Sequence, residues 1–358
     1  MTRIDRVFKA MEKQGLSQML VTDPVSVFYM TGIQVEPGER FFALLLKENG
    51  EHVLFLNHLF NVPEEAPFGK VWYSDTDPVM EYVKEQIDDS RVLGVDKDLK
   101  ARFLLPLMEG KTTENFVNAS LAVDLTRGIK DADEQAKMRA ASAINDQAME
   151  RLYGLVRKGT TEREIADRLL EIYLELGAEG FSFPPIVSFG ANAADPHHMP
   201  DDTVLTPGDV VLFDVGCVKD GYCSDMTRTV YYKKATEQNR EIYELVRRAN
   251  EAAIAKIKPG VPLCELDRTA RNIIAEAGYG ENFNHRLGHF IGLSEHEFGD
   301  VSLANEQTAE PGMIFSIEPG IYLAGETGVR IEDLVLVTPD GVEVLNHYTK
   351  ELTIIAGK

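Results

Sequence analysis

The sequence predicts a two-domain protein of the mixed α/β (α+β) class. Its 358 residues exceed the length of an ordinary single domain. Residues 1–125 alternate helical and strand patterns, whereas residues 126–358 contain a pattern that occurs twice. We place the domain boundary between these ranges, because Asp131 and Glu134 follow it with the spacing of a helix-capping box.

The first domain is predicted to contain a partly parallel sheet. Strand patterns occur at 18–22, 41–47, 52–56 and 92–96, and a helical pattern near 3–14 precedes them. Alternation of helices and strands favours parallel pairing for part of such a sheet.

Composition and charge narrow the functional classes. The formal net charge of −21 disfavours nucleic acid and anionic membranes as partners, because both require clustered Lys and Arg. The N-terminal segment lacks the apolar stretch that a signal peptide contains. No apolar run approaches the 18 residues that a membrane-spanning helix needs. We therefore expect a cytoplasmic protein. The three cysteines, Cys217, Cys223 and Cys264, are too few for a disulfide scaffold.

The second domain carries a weak internal repeat. The segment Gly159–Glu164 recurs 101 residues later as Gly260–Glu265, and Pro207-Gly208 recurs 104 residues later as Pro311-Gly312. Each Pro-Gly pair precedes an apolar strand pattern that leads into a carboxylate. Chance recurrence is the alternative, but two pairs in the same order favour duplicated halves. Such halves would place two acidic hairpins around one axis.

The first acidic hairpin spans residues 207–232. Asp220-Gly221 is a preferred pair for a tight type I′ turn. With this turn, Asp214 pairs with Thr227, and Asp225 falls on the same face as Asp214.

Two carboxylates on one strand face repel each other unless a positive charge compensates them. The strand around Asp214 is otherwise apolar, so a divalent metal ion is one candidate for that charge. The alternative is an ion pair between Asp214 and a nearby arginine such as Arg228, with Asp225 exposed. The hairpin alone leaves both interpretations open.

The second acidic hairpin spans residues 313–337. An apolar strand leads into Glu318, a glycine-rich turn follows, and Glu332 lies on the return strand. Arg330 lies two positions from Glu332 and hence on the same face, where it could orient that carboxylate. A plain Arg–Glu ion pair is the simpler alternative.

Histidines are scarce and clustered. Of the eight, His285, His289 and His296 fall within twelve residues, and His197 lies in a loop-like stretch. A zincin motif requires Glu directly after its first His, but Arg286 stands there, so that motif is excluded. One histidine with four carboxylates is a donor set that suits Mn²⁺, Co²⁺ or Fe²⁺, and Zn²⁺ less exclusively.

The stretches FDVGCVKDGYCSDMTRT, HRLGHFIGLSEHE, FSIEPGIYL and VRIEDLVLV resemble motifs of the pita-bread metallopeptidases. That family includes methionine aminopeptidases, Xaa-Pro aminopeptidases and Xaa-Pro dipeptidases (prolidases). The resemblance covers about residues 130–358. It implies a pita-bread catalytic domain with duplicated halves at 126–358. The preceding 1–125 would form a creatinase/prolidase-like N-terminal domain, which is typical of the proline-specific branch.

By this resemblance, the site holds two divalent metal ions that activate a bridging water. Asp214 would chelate one ion, Asp225 and Glu332 would bridge both, and His289 and Glu318 would hold the other. Glu318 would also carry the proton of the water to the leaving proline nitrogen. Mn²⁺ is the metal we expect, with Co²⁺ or Zn²⁺ as alternatives.

The same resemblance assigns neighbouring residues. His197 and His296 would contact the substrate carbonyl and the tetrahedral intermediate. His285 would line the pocket wall, and Arg330 would support the bridging Glu332.

The N-terminal domain resembles that of prolidases from Gram-positive bacteria, centred on the loop Glu36-Pro-Gly-Glu39-Arg40. In such prolidases this loop reaches an active site, commonly across a dimer, whereas a solvated acidic loop is the simple alternative. Some prolidases bind the substrate carboxylate with an arginine shortly after the His-Glu pair. This chain departs from that pattern, because no Lys or Arg lies between His296 and Arg330. We therefore expect Arg40 to supply the cation, from its own or a partner subunit.

The sequence thus favours a homodimeric, cytoplasmic prolidase that acts on small Xaa-Pro peptides. An Xaa-Pro aminopeptidase acting on longer peptides is the second interpretation. A non-catalytic pita-bread binding protein is the third, and the intact ligand set argues against it.

Overall fold

The computed structural model describes residues 2–63, 65–113 and 115–357. The chain divides into two compact units, Met1–Arg127 and Gly128–Lys358. Within the described ranges, no helix is both long enough and apolar enough to cross a membrane.

The first unit combines helices with a mixed sheet, which confirms the predicted α/β class. In chain order its elements are α1 Arg3–Lys13, β1 Gln18–Val21, α2 Pro24–Thr31, β2 Ala43–Lys47, β3 Val53–Asn57, β4 Gly69–Tyr73, α3 Val79–Gln86, β5 Leu93–Val95, α4 Ala101–Glu109, β6 Phe116–Asn118 and α5 Ser120–Gly128.

The sheet of this unit has the order β4-β3-β2-β1-β5-β6. Strand β1 pairs antiparallel with β2 and parallel with β5, so the sheet is partly parallel, as predicted. The four predicted strands correspond to β1, β2, β3 and β5. Helix α2 was not predicted, although its signals are local: Asp23 caps it, Pro24 begins it and Gly32 ends it with φ 71°.

The second unit contains two helix pairs, each followed by strands. Its elements are α6 Ala132–Tyr153, α7 Glu162–Glu175, β7 Gly180–Phe181, β8 Ile186–Phe189, β9 Val210–Val215, β10 Cys217–Lys219, β11 Tyr222–Cys223, β12 Met226–Tyr232, α8 Glu237–Lys256, α9 Leu263–Glu276, β13 Gly288–Phe290, β14 Glu297–Val301, β15 Ile314–Ile317, β16 Gly320–Leu323, β17 Thr327–Arg330, β18 Asp333–Thr338, β19 Gly341–Val344 and β20 Ile354–Ile355. The strands form the sheets β20-β12-β9-β8, β14-β13-β15-β18-β19, β11-β10-β7 and β16-β17.

The internal repeat predicted from the sequence has a structural counterpart. The chain forms a bridge between Thr161 and Val204, and a bridge between Pro262 and Thr308 at the same offsets of 101 and 104 residues. Both bridges join the start of a helix to the segment before an acidic strand. The equivalent glycines also share a positive φ: 84° at Gly159 and 85° at Gly260, 108° at Gly208 and 95° at Gly312.

The first acidic hairpin has the predicted turn and register. Asp220 and Gly221 both have positive φ, 50° and 76°, as a type I′ turn requires. Asp214 pairs with Thr227 across β9 and β12. The hairpin is interrupted at Gly216, between β9 and β10. A side chain there would collide with the carbonyl of Ser224, so this position requires glycine.

A fully buried ion pair ties β12 to β18. Arg228 donates from Nη2 to Asp333 at 2.7 Å, and neither side chain is exposed to solvent. The same guanidinium donates to the backbone carbonyls of Thr227 and Glu332 at 2.9 and 2.6 Å. Lys350 donates to the other oxygen of Asp333 at 2.7 Å. Arg228 therefore stabilises the frame of the second unit rather than pairing with Asp214.

Removing Arg228 is expected to destabilise the protein strongly. Replacement by Met should lower the free energy of unfolding by about 3–5 kcal/mol, because a buried carboxylate and several carbonyls lose their donor. Urea unfolding followed by circular dichroism measures the change. Arg139 provides the matched control: its bidentate pair with Glu343 is exposed, so Arg139→Met should cost at most about 1 kcal/mol. Equal effects of the two substitutions would contradict this interpretation.

Candidate metal centre

The alternation of side chains along β9 determines the face on which Asp214 lies. In β9, Val211 and Phe213 belong to the core packed on α6 and α7, whereas Val210 and Leu212 belong to the core packed on α8 and α9. Asp214 shares the face of Val210 and Leu212, because side chains two positions apart point the same way.

The other three acids lie where strands are interrupted. Asp225 lies between β11 and β12, Glu318 between β15 and β16, and Glu332 between β17 and β18. With Asp214 and His289 they line one cavity of about 490 Å³ in the second unit. The structure therefore brings all five predicted ligands together.

His289 lies at the centre of this group. Its Nε2 is 3.5 Å from Asp225 Oδ2 and 3.6 Å from Glu318 Oε1. Ligand atoms of Asp225, His289 and Glu332 all lie within 4.8 Å of one another. The other ring nitrogen, Nδ1, is 3.2 Å from the Phe290 carbonyl, which can only accept, so Nδ1 carries the proton. In the neutral form of the ring, this tautomer would direct the Nε2 lone pair at the carboxylates, which is the form that binds metal ions.

Hydroxyl groups orient two of the carboxylates. Thr227 donates to Glu332 Oε2 at 2.7 Å, and Ser316 donates to Glu318 Oε1 at 3.2 Å. The Ser316 hydroxyl also accepts the backbone N–H of His289 at 3.0 Å, so one side chain holds both neighbours. Neither Thr227 nor Ser316 was anticipated from the sequence.

Arg330 compensates part of the negative charge, but its partner differs from the expected one. Its Nη2 donates to Asp214 Oδ2 at 2.6 Å, and its Nε donates to the Thr227 hydroxyl at 3.0 Å. It therefore reaches Glu332 through Thr227 rather than by a direct ion pair. Its Nη1 donates to the Tyr322 hydroxyl at 2.7 Å.

The remaining charge is not satisfied by the protein. Asp214 Oδ1, Asp225 Oδ1 and Glu332 Oε1 are buried and find no hydrogen-bond partner within residues 2–63, 65–113 and 115–357. Burial, followed by the charge of Asp214, raises the pKa of Asp225 well above its ordinary value. Burial and then Asp225 raise the pKa of Glu332 in the same way, and burial raises the pKa of Glu318 to about 7.

These observations fit a divalent metal centre. Buried acceptor oxygens without donors cost free energy unless a cation neutralises them. An imidazole nitrogen among carboxylate oxygens is a donor set for divalent transition metals. Asp214, Asp225, His289, Glu318 and Glu332 can therefore hold the metal ions.

The other predicted histidines line the same cavity. His285 Nδ1 donates to the Arg286 carbonyl at 2.7 Å, and its Nε2 accepts from the Tyr322 hydroxyl at 3.0 Å. Burial lowers its pKa to about 4. His296 is exposed, and its ring centre is 4.0 Å from that of His289. Because about half of this side chain is still shielded from water, partial burial, followed by the charge of His289, lowers the pKa of His296 to about 4. His197 is an exposed residue of the cavity wall.

Two charged residues of the cavity were not predicted as site residues, Arg286 and Glu295. Burial raises the pKa of Glu295, and the charge of Asp214 adds to this effect. Their position within the histidine-rich stretch is the signal that could have identified both.

The predicted loop residues belong to the first unit. Glu36 and Glu39 are exposed. Arg40 donates from Nε and Nη2 to the two oxygens of Asp75 at 2.8 and 2.9 Å.

A second acidic cluster comprises Glu162, His198 and Asp201. Glu162 is fully buried, but both of its oxygens accept hydrogen bonds. They come from the backbone N–H of Phe189 at 2.6 Å, His198 Nε2 at 2.7 Å and the N–H of Asp201 at 3.1 Å. Because its acceptors are satisfied, this cluster fixes the loop that carries His197 rather than requiring a metal ion.

Comparison with known proteins agrees with these features. Residues 136–339 match metallopeptidase family M24, and residues 3–129 match the creatinase/prolidase N-terminal domain. An uncharacterized peptidase of Staphylococcus aureus is 40% identical over 353 residues, which cover 98% of this chain and all of the relative.

Solved structures are similar along nearly the whole chain. A prolidase from Thermococcus sibiricus has a TM-score of 0.91 and 34% identity, with 98% of each chain covered. An X-Pro aminopeptidase from Thermotoga maritima has a TM-score of 0.87 and 29% identity, with 99% of this chain and 100% of the other covered. The chain therefore belongs to metallopeptidase family M24, with a pita-bread catalytic domain after a creatinase/prolidase N-terminal domain.

Proposed function

We propose that the protein is a prolidase, which hydrolyses the Xaa-Pro bond of dipeptides with two divalent metal ions. One observation carries the proposal: three buried carboxylate oxygens, which have no donor among the described residues, share a cavity with His289, whose Nε2 lies 3.5 Å from Asp225 Oδ2. The similarity to a protein named as a prolidase supports the choice of substrate.

The proposed metal roles are those that the family resemblance implies for these positions. Asp225 and Glu332 would contact both ions, Asp214 would contact one, and His289 and Glu318 would contact the other. Bound divalent ions would polarise the substrate carbonyl and lower the pKa of a water molecule. Mn²⁺ is our proposal for the native metal, because hard carboxylate oxygens dominate the donor set.

Glu318 is proposed to transfer the proton. Its carboxylate lines the same cavity as the other proposed ligands, where it can act as a general base and then as a general acid. The nitrogen of an Xaa-Pro bond carries no hydrogen, so the leaving proline requires one. Glu318 would accept a proton from the attacking water and deliver it to that nitrogen.

His197 and His296 are proposed to face the substrate carbonyl. The lowered pKa of His296 keeps this imidazole neutral at pH 7. A neutral ring can donate one N–H to an oxygen that gains negative charge in the transition state. Tyr322 and Arg330 would keep His285 and Asp214 in place through the hydrogen bonds described above.

Two features predicted from the sequence remain predictions. One is the homodimer, and the other is the contribution of Glu36, Glu39 and Arg40 to substrate binding. To bind the substrate, Arg40 would have to break its hydrogen bonds to Asp75.

The second candidate is an Xaa-Pro aminopeptidase that cleaves longer peptides. The similarity to the Thermotoga maritima protein of that name favours it. The candidates differ in whether the residue after proline is tolerated, so substrate length separates them.

Substrate length provides the direct test of the proposed function. With added Mn²⁺, kcat/KM for Ala-Pro should exceed that for Ala-Pro-Ala by about tenfold or more, since a hydrogen-bonded carboxylate contributes about 1.5–3 kcal/mol. Asp225→Asn serves as the inactive control. A preference for Ala-Pro-Ala would support the aminopeptidase, and metal binding without hydrolysis of either peptide would support a non-catalytic protein.

The metal-free protein should lose stability as the pH rises. The pKa of Glu318 is raised from an ordinary 4.5 to about 7, so its contribution is present below pH 4.5 and is lost as the pH rises through 7. Between pH 5 and 8 in EDTA, wild type should lose on the order of 2–3 kcal/mol relative to Glu318→Gln.

Urea unfolding at the two pH values measures this difference. Added Mn²⁺ should stabilise the wild type more at pH 8 than at pH 5, because metal ions compete with protons for the carboxylates. Parallel pH dependence of wild type and variant in EDTA would contradict the assignment.

A further inference from the structure

The cavity wall contains a cationic side chain that the proposed metal centre does not use. Arg286 is half-buried and lines the cavity. Among residues 2–63, 65–113 and 115–357, its guanidinium has no hydrogen-bond or ion-pair partner. An unpaired guanidinium in a partly enclosed site is a receptor for an anion.

The backbone on either side of Arg286 is fixed. The carbonyl of His285 accepts from Arg271 Nη2 at 2.8 Å. The carbonyl of Leu287 accepts the backbone N–H of Glu318 at 2.8 Å. Arg286 thus belongs to a backbone segment that is hydrogen-bonded to Glu318, a proposed metal ligand. Its side chain therefore extends from a fixed position in the cavity wall.

Other arginines considered for this role already have partners. Arg330 uses its three nitrogens on Asp214, Tyr322 and Thr227. Arg40 is bidentate to Asp75 in the first unit. An added carboxylate would have to displace these partners, whereas Arg286 has none to displace.

The charge of Arg286 also acts on the proposed substrate-binding residues. Burial is the main cause of the low pKa of His296, and the charges of His289 and Arg286 add to it. The guanidinium therefore lies within electrostatic reach of the residue proposed to face the scissile carbonyl. In an Xaa-Pro dipeptide, the free carboxylate is attached to the proline ring directly after that bond.

We propose that Arg286 binds the free C-terminal carboxylate of the substrate and so restricts the enzyme to dipeptides. This inference rests on the proposed function for its substrate class. It assigns to Arg286 the role that sequence analysis gave to Arg40. A planar guanidinium can donate two parallel hydrogen bonds to a carboxylate, which an amide or a following residue cannot accept equally well.

Binding of a non-hydrolysable pair of ligands tests the proposal without depending on activity. The probes are Ala-Pro with a reduced peptide bond (CH₂–N) and its C-terminal amide, titrated by calorimetry into the Mn²⁺-loaded protein. Arg286→Gln should weaken binding of the acid by about 10- to 100-fold and leave binding of the amide within about twofold. Arg286→Lys should recover part of the loss, because it retains the charge but not the bidentate geometry.

Two further variants make the result specific. Arg248, exposed on α8 and outside the cavity lining, provides the matched control, and Arg248→Gln should change neither affinity. Arg40→Gln tests the competing assignment. The proposal is overturned if wild type does not prefer the acid, if Arg286→Gln weakens both ligands equally or neither, or if only Arg40→Gln weakens the acid.

The outcome also separates this inference from the proposed function. A wild type that prefers the acid through Arg286 but cleaves no Xaa-Pro peptide would refute prolidase activity and support the carboxylate site. If the wild type cleaves Ala-Pro while Arg286→Gln binds the acid normally, prolidase activity is supported and the carboxylate site at Arg286 is refuted.

Discussion

Mutual repulsion of buried carboxylates is the constraint on which the second unit depends. Asp214, Asp225, Glu318 and Glu332 line one cavity, and within the described residues only Arg330 forms an ion pair with one of them through a guanidinium. The raised pKa values show that the protein alone does not offset this charge. Cation binding would convert an unfavourable cluster into a stabilised one, so folding, metal affinity and pH become linked properties.

The surrounding frame holds these groups together in spite of their repulsion. Arg228 and Asp333 fix β12 to β18, and the Thr227 hydroxyl links Arg330 to Glu332. These contacts join segments about a hundred residues apart, one from each duplicated half. The strand interruptions at Asp225, Glu318 and Glu332 leave these carboxylates available to the cavity, while the continuous parts of the strands supply the core. The strands that form the core therefore also position the carboxylates of the cavity.

Much of this arrangement could be predicted from the sequence, and the parts that could not share a cause. The Asp220-Gly221 turn fixed the pairing of Asp214 with Thr227, because hairpin register is set locally. The repeat offsets predicted duplicated halves, and equivalent bridges occur in both. The fold class and the family followed from motif order.

Contacts between distant segments were not accessible in this way. Same-face reasoning associated Arg330 with Glu332, but the guanidinium crosses to Asp214 on another hairpin. In the sequence, Arg286 indicates only that a zincin motif is absent. Its unpaired state depends on what every neighbouring segment does, which a pattern along one strand cannot show. His197 was placed by family resemblance, since its own loop carries little local signal.

The central claim is that the five clustered residues form the metal centre. Anomalous diffraction from Mn²⁺-loaded crystals, recorded above and below the manganese absorption edge, tests it most directly. The account predicts two manganese peaks in the cavity bounded by Asp214, Asp225, His289, Glu318 and Glu332. Absence of peaks there, or peaks confined to the cluster of Glu162, His198 and Asp201, would contradict it.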